Sequence, residues 1–85
     1  MSTKLALVLD KDCHYSNEQH KMLPPDIKSK ISICHINGAD DRVFNGEVIS
    51  RCDNAMNSER TPAWTLGTET TYGVQSLTWI DNQLK

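Results

Sequence analysis

The sequence has no long hydrophobic run, so it offers no candidate for a membrane-spanning helix. Its longest apolar stretch is LALVL, residues 5–9. A helix needs roughly 20 apolar residues to cross a bilayer, and a secretory signal peptide needs an apolar core longer than this one. We therefore expect a protein that is neither inserted in a membrane nor secreted.

The chain also lacks an excess of charge of either sign. Nine Lys and Arg residues against eleven Asp and Glu residues give a formal net charge of −2. This balance provides no general attraction to phosphate backbones or anionic lipid, so nucleic acid is a disfavoured partner. With 38% hydrophobic residues the composition is that of an ordinary globular protein. We expect a single domain, residues 1–85, because a chain this short has room for one small core.

The chain has few cysteines, and their number is odd. The three cysteines, Cys13, Cys34 and Cys52, cannot all pair within one chain. An odd set of thiols favours the reducing cytoplasm, where disulfides are rare. The expected role of each is then to pack as a small hydrophobic side chain.

The first half of the chain predicts a strand, a short helix and a second strand. Residues 4–9 have the length and apolar character of a strand. Ser16 followed by Gln19 has the form of a capping box, and Pro24 and Pro25 would end the helix that it starts. Residues 30–36 alternate between apolar and polar side chains, which is typical of a half-buried strand.

Two Asn-Gly pairs allow two interpretations of the middle of the chain. In the first, Asn37-Gly38 and Asn45-Gly46 are both two-residue turns in a three-stranded meander, because Asn-Gly favours the type I′ hairpin turn. In the second, residues 37–41 form one loop and residues 42–52 form a long strand with a bulge at the second pair. We prefer the second, because residues 39–41 are poor strand formers.

The remaining sequence predicts a polar loop and a second hairpin. Residues 53–60 read as a loop that could contain one helical turn capped by Asp53. Residues 64–66 and 71–80 are rich in β-formers and are predicted to be strands. No predicted helix is long enough for a parallel crossover. The expected fold is therefore all-β or β-rich α+β, with about five antiparallel strands in a small curled sheet or barrel and one short helix.

Metal binding is a first hypothesis for a site, because Cys13, His20, Cys34 and Cys52 could act as ligands. Structural zinc sites bring their ligands in close pairs such as Cys-x2-4-Cys, and the chain has no such pair of cysteines. The four side chains would have to converge from distant segments. We therefore predict no metal and no cofactor, and keep these residues as the candidate set.

Thiol chemistry is a second hypothesis, because His14 follows Cys13 and His35 follows Cys34. A reactive cysteine needs a neighbouring base or cation that lowers its pKa. Adjacency in sequence does not establish such a contact, since catalytic groups usually meet through the fold.

The stretch LVLDKD, residues 7–12, is similar to the nucleophile motif of haloacid-dehalogenase-type phosphatases. That resemblance implies a carboxylate at a strand end, where a magnesium ion and a phosphate can approach. It covers six residues, His14 stands where the family has threonine, and 85 residues cannot hold that family's doubly wound domain. We interpret Asp10 and Asp12 as solvated charges at the end of a strand.

A cytoplasmic, non-enzymatic protein-interaction or regulatory module is the function that the sequence favours. Proteins of this length often serve as accessory or inhibitor proteins of phages and mobile elements. The expected partner is another protein, a homodimer is an option that would compensate for the small core, and Trp64, Tyr72 and Trp79 are the candidate binding residues. Two alternatives stay open: a metal- or thiol-dependent protein, and an oligomeric mini-barrel that binds a small ligand or nucleic acid.

Overall fold

The computed structural model describes residues 4–53 and 59–85. Within these ranges no helix is both long and apolar enough to cross a membrane. The elements in chain order are β1 (Ala6–Asp10), α1 (His14–Lys21), α2 (Pro25–Lys28), β2 (Ser32–Ile36), β3 (Arg42–Phe44), β4 (Glu47–Ile49), β5 (Ala63–Leu66), β6 (Glu69–Tyr72) and α3 (Leu77–Gln83).

A four-stranded mixed sheet in the order β2-β1-β5-β6 forms the centre of the fold. Strand β1 pairs in parallel with β2 and antiparallel with β5, and β5 and β6 form an antiparallel hairpin. Helices α1 and α2 make the crossover between β1 and β2, so the first part of the chain is a βαβ unit. Strands β3 and β4 form a separate two-stranded sheet.

The predicted β-rich α+β class is confirmed, but several of its details are not. The sheet is not closed into a barrel, and the described residues form six strands in two sheets where about five strands were predicted. They also form three short helices where one was predicted. The expectation that all strands run antiparallel was wrong for β1 and β2. We had required one long helix for a parallel crossover, whereas two short helices separated by a proline turn span the same distance.

The first helix forms where it was predicted, but with a different start. It begins at His14, so Cys13 is the N-cap residue and Ser16 lies inside the first turn. The Ser16 hydroxyl accepts a hydrogen bond from the backbone N–H of Asp10 and caps no helix. The helix ends at Lys21, before the two prolines that were predicted to end it. The prolines also begin a second helix that was not predicted: Pro24 precedes α2, and Pro25 occupies its first turn, where a missing N–H costs nothing.

Each interpretation of the middle of the chain was half right. Asn45-Gly46 is a two-residue hairpin turn between β3 and β4, and both residues have positive φ, 49° and 84°, as a type I′ turn requires. The predicted long strand with a bulge was therefore wrong. Residues 37–41 form a loop, as the second interpretation held.

The predicted long strand over residues 71–80 was also wrong. Strand β6 ends at Tyr72, Gly73 follows with φ of 94°, and Ser76 caps α3 by accepting a hydrogen bond from the N–H of Trp79. The β-forming residues in this stretch were outweighed by a good N-cap and by the burial of Ile80. The loop predicted over residues 53–60, with its helical turn capped by Asp53, falls largely outside the described residues.

The main core lies on one face of the four-stranded sheet, beneath α1, α3 and the β3–β4 hairpin. Alternation along the strands sends every second side chain to this face. Its buried members are Leu5, Leu7, Leu9, Leu23, Ile27, Ile31, Phe44, Ile49, Trp64 and Ile80. A smaller cluster of Val8, Cys52 and Ala63 lies apart from it.

Gln19 connects three parts of the structure through its side-chain amide. It is fully buried, and its Oε1 accepts hydrogen bonds from Trp64 Nε1 at 3.0 Å and from the Gln75 N–H at 2.6 Å. Its Nε2 donates to the Gln75 carbonyl at 3.3 Å. One side chain thus satisfies the indole of β5 and the backbone that leads into α3.

We predict that Gln19→Ala lowers the free energy of unfolding by about 2–4 kcal/mol, because it leaves the Trp64 and Gln75 N–H groups without acceptors and opens a cavity. Urea denaturation measures the change. Glu18→Ala, one position along the same helix but exposed, is the matched control and should change stability by less than about 0.5 kcal/mol. Equal losses for the two variants would contradict the prediction.

Candidate functional site

The segment that leaves β1 meets the segment that enters β5. Because β1 and β5 are antiparallel neighbours, the carboxyl end of β1 lies beside the residues just before Ala63. This arrangement brings together Asp10, Cys13, Ser16 and Thr61, which we name the β1-end site. No pattern in the sequence indicates that Thr61 belongs there.

Cys13 is the free thiol of this site and is partly exposed. It takes an extended conformation at the N-cap of α1, with φ of −97° and ψ of 119°. Its Sγ lies 3.4 Å from the Thr61 carbonyl oxygen, to which the thiol can donate. The side chain is therefore held between the start of a helix and the start of a strand, with one side open to solvent.

Hydrogen-bond donors lower the pKa of the Cys13 thiol below its ordinary value. Burial alone would raise this pKa, but the side chain of Thr61, the backbone and side chain of Ser16 and the backbone of Tyr15 together lower it by more. The Thr61 carbonyl favours the protonated thiol, whereas these donors favour the thiolate. The lowered pKa means that the site favours the thiolate more than the surroundings of an ordinary cysteine do.

Ser16 has a role that the sequence did not suggest. It is fully buried, and its Oγ accepts the Asp10 N–H at 3.1 Å, so its hydroxyl proton is left for another acceptor. The Ser16 side chain is one of the groups that lower the pKa of the Cys13 thiol. We interpreted Ser16 only as the cap of a helix, through its spacing to Gln19, whereas its spacing to Cys13 is the signal that points to this role.

Asp10 is a structural cross-link and is not a free charge at a strand end. Its Oδ1 accepts the N–H of Asp12 at 3.0 Å, and its Oδ2 accepts Asn37 Nδ2 at 2.8 Å. The carboxylate therefore joins the loop after β1 to the loop after β2. Asp10 is half-buried and Asp12 is exposed, so both carboxylates are in contact with solvent, and the two hydrogen bonds of Asp10 are the feature that the sequence did not predict.

The candidate metal ligands do not converge. Cys34 and Cys52 form a disulfide, so our expectation that they are packed free thiols was wrong. Cys13 lies in the β1-end site, and His20 faces the β3–β4 hairpin. Among residues 4–53 and 59–85 there is no group of three or more His, Cys, Asp or Glu side chains that could hold a metal ion.

His20, one of the candidate metal ligands, is buried in a polar network. Its Nδ1 accepts a hydrogen bond from Asn45 Nδ2 at 3.1 Å, which leaves Nε2 to donate to Glu47 Oε2 at 3.2 Å. Lys28 Nζ also donates to this oxygen, at 2.7 Å. Burial and the positive charge of Lys28 lower the pKa of His20, although Glu47 acts in the opposite direction. His20 is therefore a neutral link between α1 and the hairpin.

The three candidate binding aromatics have different surroundings. Trp64 belongs to the core and is 1% exposed. Trp79 is partly buried on α3 and packs edge to face on Trp64, with ring centroids 5.9 Å apart. Tyr72, on β6, is 44% exposed and is the member of this set that a partner could reach directly.

Comparison of the chain with protein-family models, with curated proteins and with solved structures finds no match. The function is therefore argued from the geometry of the β1-end site. Its elements are a partly exposed thiol, a buried hydroxyl and the backbone at the start of a helix.

We predict that Ser16→Ala raises the pKa of the Cys13 thiol, because the substitution removes a hydroxyl donor to the sulfur. The pH dependence of iodoacetamide labelling at Cys13 should shift to higher pH. Ser29→Ala is the control, because the Ser29 hydroxyl donates to the Asp26 carbonyl and lies 16 residues from Cys13 in the chain. A labelling profile that is identical for all three proteins would show that Ser16 does not influence the sulfur.

We predict that the protein loses stability as the pH falls from 7.5 to 5.5. The pKa of His20 is lower in the folded state than its ordinary value of 6.5, so below that pH the unfolded chain binds the proton more readily. Urea denaturation across this range measures the loss. His20→Gln should flatten the profile, and His14→Gln, at an exposed position, should leave it as in the wild type. A steep profile in the His20 variant would assign the effect to another group.

Proposed function

We propose that this protein carries out thiol–disulfide exchange through Cys13. The observations that support the proposal are a partly exposed sulfur at the N-cap of α1, held 3.4 Å from the Thr61 carbonyl oxygen, and a thiol pKa that Thr61, Ser16 and Tyr15 lower despite the opposite effect of burial. The thiolate is the nucleophilic form of cysteine, so a site that stabilises it is suited to attack a disulfide. We rank thiol chemistry, one of the alternatives left by the sequence, above the interaction module on this ground.

A placement analogy supports the same proposal. Thioredoxin-like redox proteins carry a Cys-x-x-Cys motif near a βαβ unit. In this chain Cys13 begins the helix that follows β1 of such a unit, and Ser16 occupies the position of the second cysteine. The analogy concerns placement and does not assign a family.

The residues define the steps of the exchange. The Cys13 thiolate attacks one sulfur of a disulfide R–S–S–R′, forms Cys13–S–S–R and releases R′S⁻. Ser16 has no sulfur and cannot resolve this intermediate by closing an internal disulfide. An external thiolate R″S⁻ therefore attacks the mixed disulfide, forms R–S–S–R″ and restores the Cys13 thiolate, so each cycle exchanges one half of the substrate disulfide, and a further R″S⁻ that attacks R–S–S–R″ is needed to release RS⁻.

A cytoplasmic location is part of the proposal. Disulfides in mesophilic cytoplasmic proteins are usually transient and either catalytic or redox-sensing. The disulfide between Cys34 and Cys52 is compatible with that compartment if it is redox-active.

Protein binding is the second candidate function, and one observation favours it. Val43 and Val48 face each other across the β3–β4 hairpin and are 51% and 63% exposed. Paired apolar side chains at the surface are suited to contact a protein partner or a second copy of the chain.

We expect the protein to accelerate the reduction of bis(2-hydroxyethyl) disulfide by glutathione at pH 7. Cys13→Ser should return the rate to that of glutathione alone, because no thiolate attacks the disulfide. A variant with both Cys34→Ser and Cys52→Ser should keep most of the activity. Mass spectrometry should find the mixed disulfide on Cys13.

Two outcomes would reject thiol exchange at Cys13. One is a wild-type rate no higher than that of glutathione alone. The other is a Cys13→Ser protein that is folded and as active as the wild type. Either result would leave protein binding as the function to test.

A further inference from the structure

The disulfide between Cys34 and Cys52 links residues 50–53, which we name the edge segment, to the outer edge of β2. The His35 N–H donates to the Ser50 carbonyl at 3.0 Å, and the Cys52 N–H donates to the His35 carbonyl at 2.8 Å. The two cysteine Cα atoms are 4.7 Å apart. The edge segment therefore covers β2 through one short bridge and one covalent bond.

The disulfide is reachable from solvent. Cys34 is partly exposed, whereas Cys52 is 8% exposed. Both line a surface cavity of about 260 Å³, whose walls are formed by Ala6, Ser32, Cys34, Arg51, Cys52 and Asp53. This volume lies below the roughly 300–1,000 Å³ of sites for drug-sized ligands, so it suits a small thiol.

We propose that the Cys34–Cys52 disulfide is a thiol-exchange site for low-molecular-weight thiols, and that its reduction releases the edge segment from β2. This site is separate from Cys13, and the proposal does not depend on the function proposed for Cys13. Its ligand is a small thiolate that enters the cavity and attacks a sulfur.

Exposure decides which sulfur is attacked. Arg51 and Asp53 flank Cys52 with opposite charges, so neither sign of charge dominates there. Cys34 is the more exposed partner. The incoming thiolate RS⁻ forms Cys34–S–SR, and Cys52 leaves as the thiolate. A second RS⁻ then attacks the mixed disulfide, forms RS–SR and leaves Cys34 as a thiolate, so the protein gains two electrons and, after protonation, two thiols.

Reduction acts on the edge of the sheet more than on its centre. The edge segment loses its covalent bond to β2 and keeps two backbone hydrogen bonds, which are too few to hold an edge strand firmly. The β3–β4 hairpin has separate attachments, because Asn45 donates to the Asn17 carbonyl and to His20. The expected result is an outer edge of β2 with open N–H and C=O groups.

We would test this in Cys13→Ser protein, so that Cys34 and Cys52 are the only cysteines. The folded protein is incubated with 2-mercaptoethanol, quenched with acid and analysed by mass spectrometry. We expect an adduct on Cys34 at low thiol concentration and two free thiols at high concentration. Hydrogen exchange of the His35 and Cys52 amides should then speed up by about tenfold or more, with the amides of β1 unchanged.

A variant with Cys34→Ser and Cys52→Ser, also in the Cys13→Ser background, provides the matched control. In this variant the amides at positions 35 and 52 should exchange hydrogen as fast as in the reduced protein, although no thiol is present. Slow exchange of these amides in this folded variant would overturn the proposal that the disulfide holds the edge segment. An adduct confined to Cys52, or no reaction of the folded protein at high thiol concentration, would overturn the assignment of the exchange site.

Discussion

The pairing of β1 with a strand on each side is the constraint on which the rest of the structure depends. Its apolar side chains are buried on both faces, and its backbone is bonded to β2 in one direction and to β5 in the other. This pairing fixes where β1 ends, and so fixes where Cys13 stands. The same pairing brings Thr61 to the sulfur, because Thr61 lies just before β5.

The parts of the fold that the sequence predicted are those decided by neighbouring residues. The strand that became β1, the strand that became β2 and the stop at Pro24 all follow from local periodicity or backbone geometry. The parallel pairing of β1 and β2 depends on how two short helices pack, which no local pattern records. Residues 77–83 show the converse, since the good β-formers Thr78 and Trp79 lie in a helix where capping and burial outweigh intrinsic preference.

Only part of the β1-end site could be predicted from the sequence, for the same reason. Cys13 was an obvious candidate, but its surroundings come from Ser16, which was taken for a cap, and from Thr61, which is 48 residues away in the chain. The surroundings of His20, Cys34 and Cys52 were also not predictable from neighbouring residues. Their burial and their partners are set by contacts across the fold, whereas residue type alone suggested a candidate metal ligand and two free thiols.

The position of β5 in the sheet has a consequence for how the chain folds. The βαβ unit and both hairpins join segments that are close in sequence, and such contacts form quickly because they close short loops. The contact between Val8 and Ala63 must close a loop of more than fifty residues. Assembly of the β1-end site is therefore a late event in folding, because its last component arrives with the most distant strand.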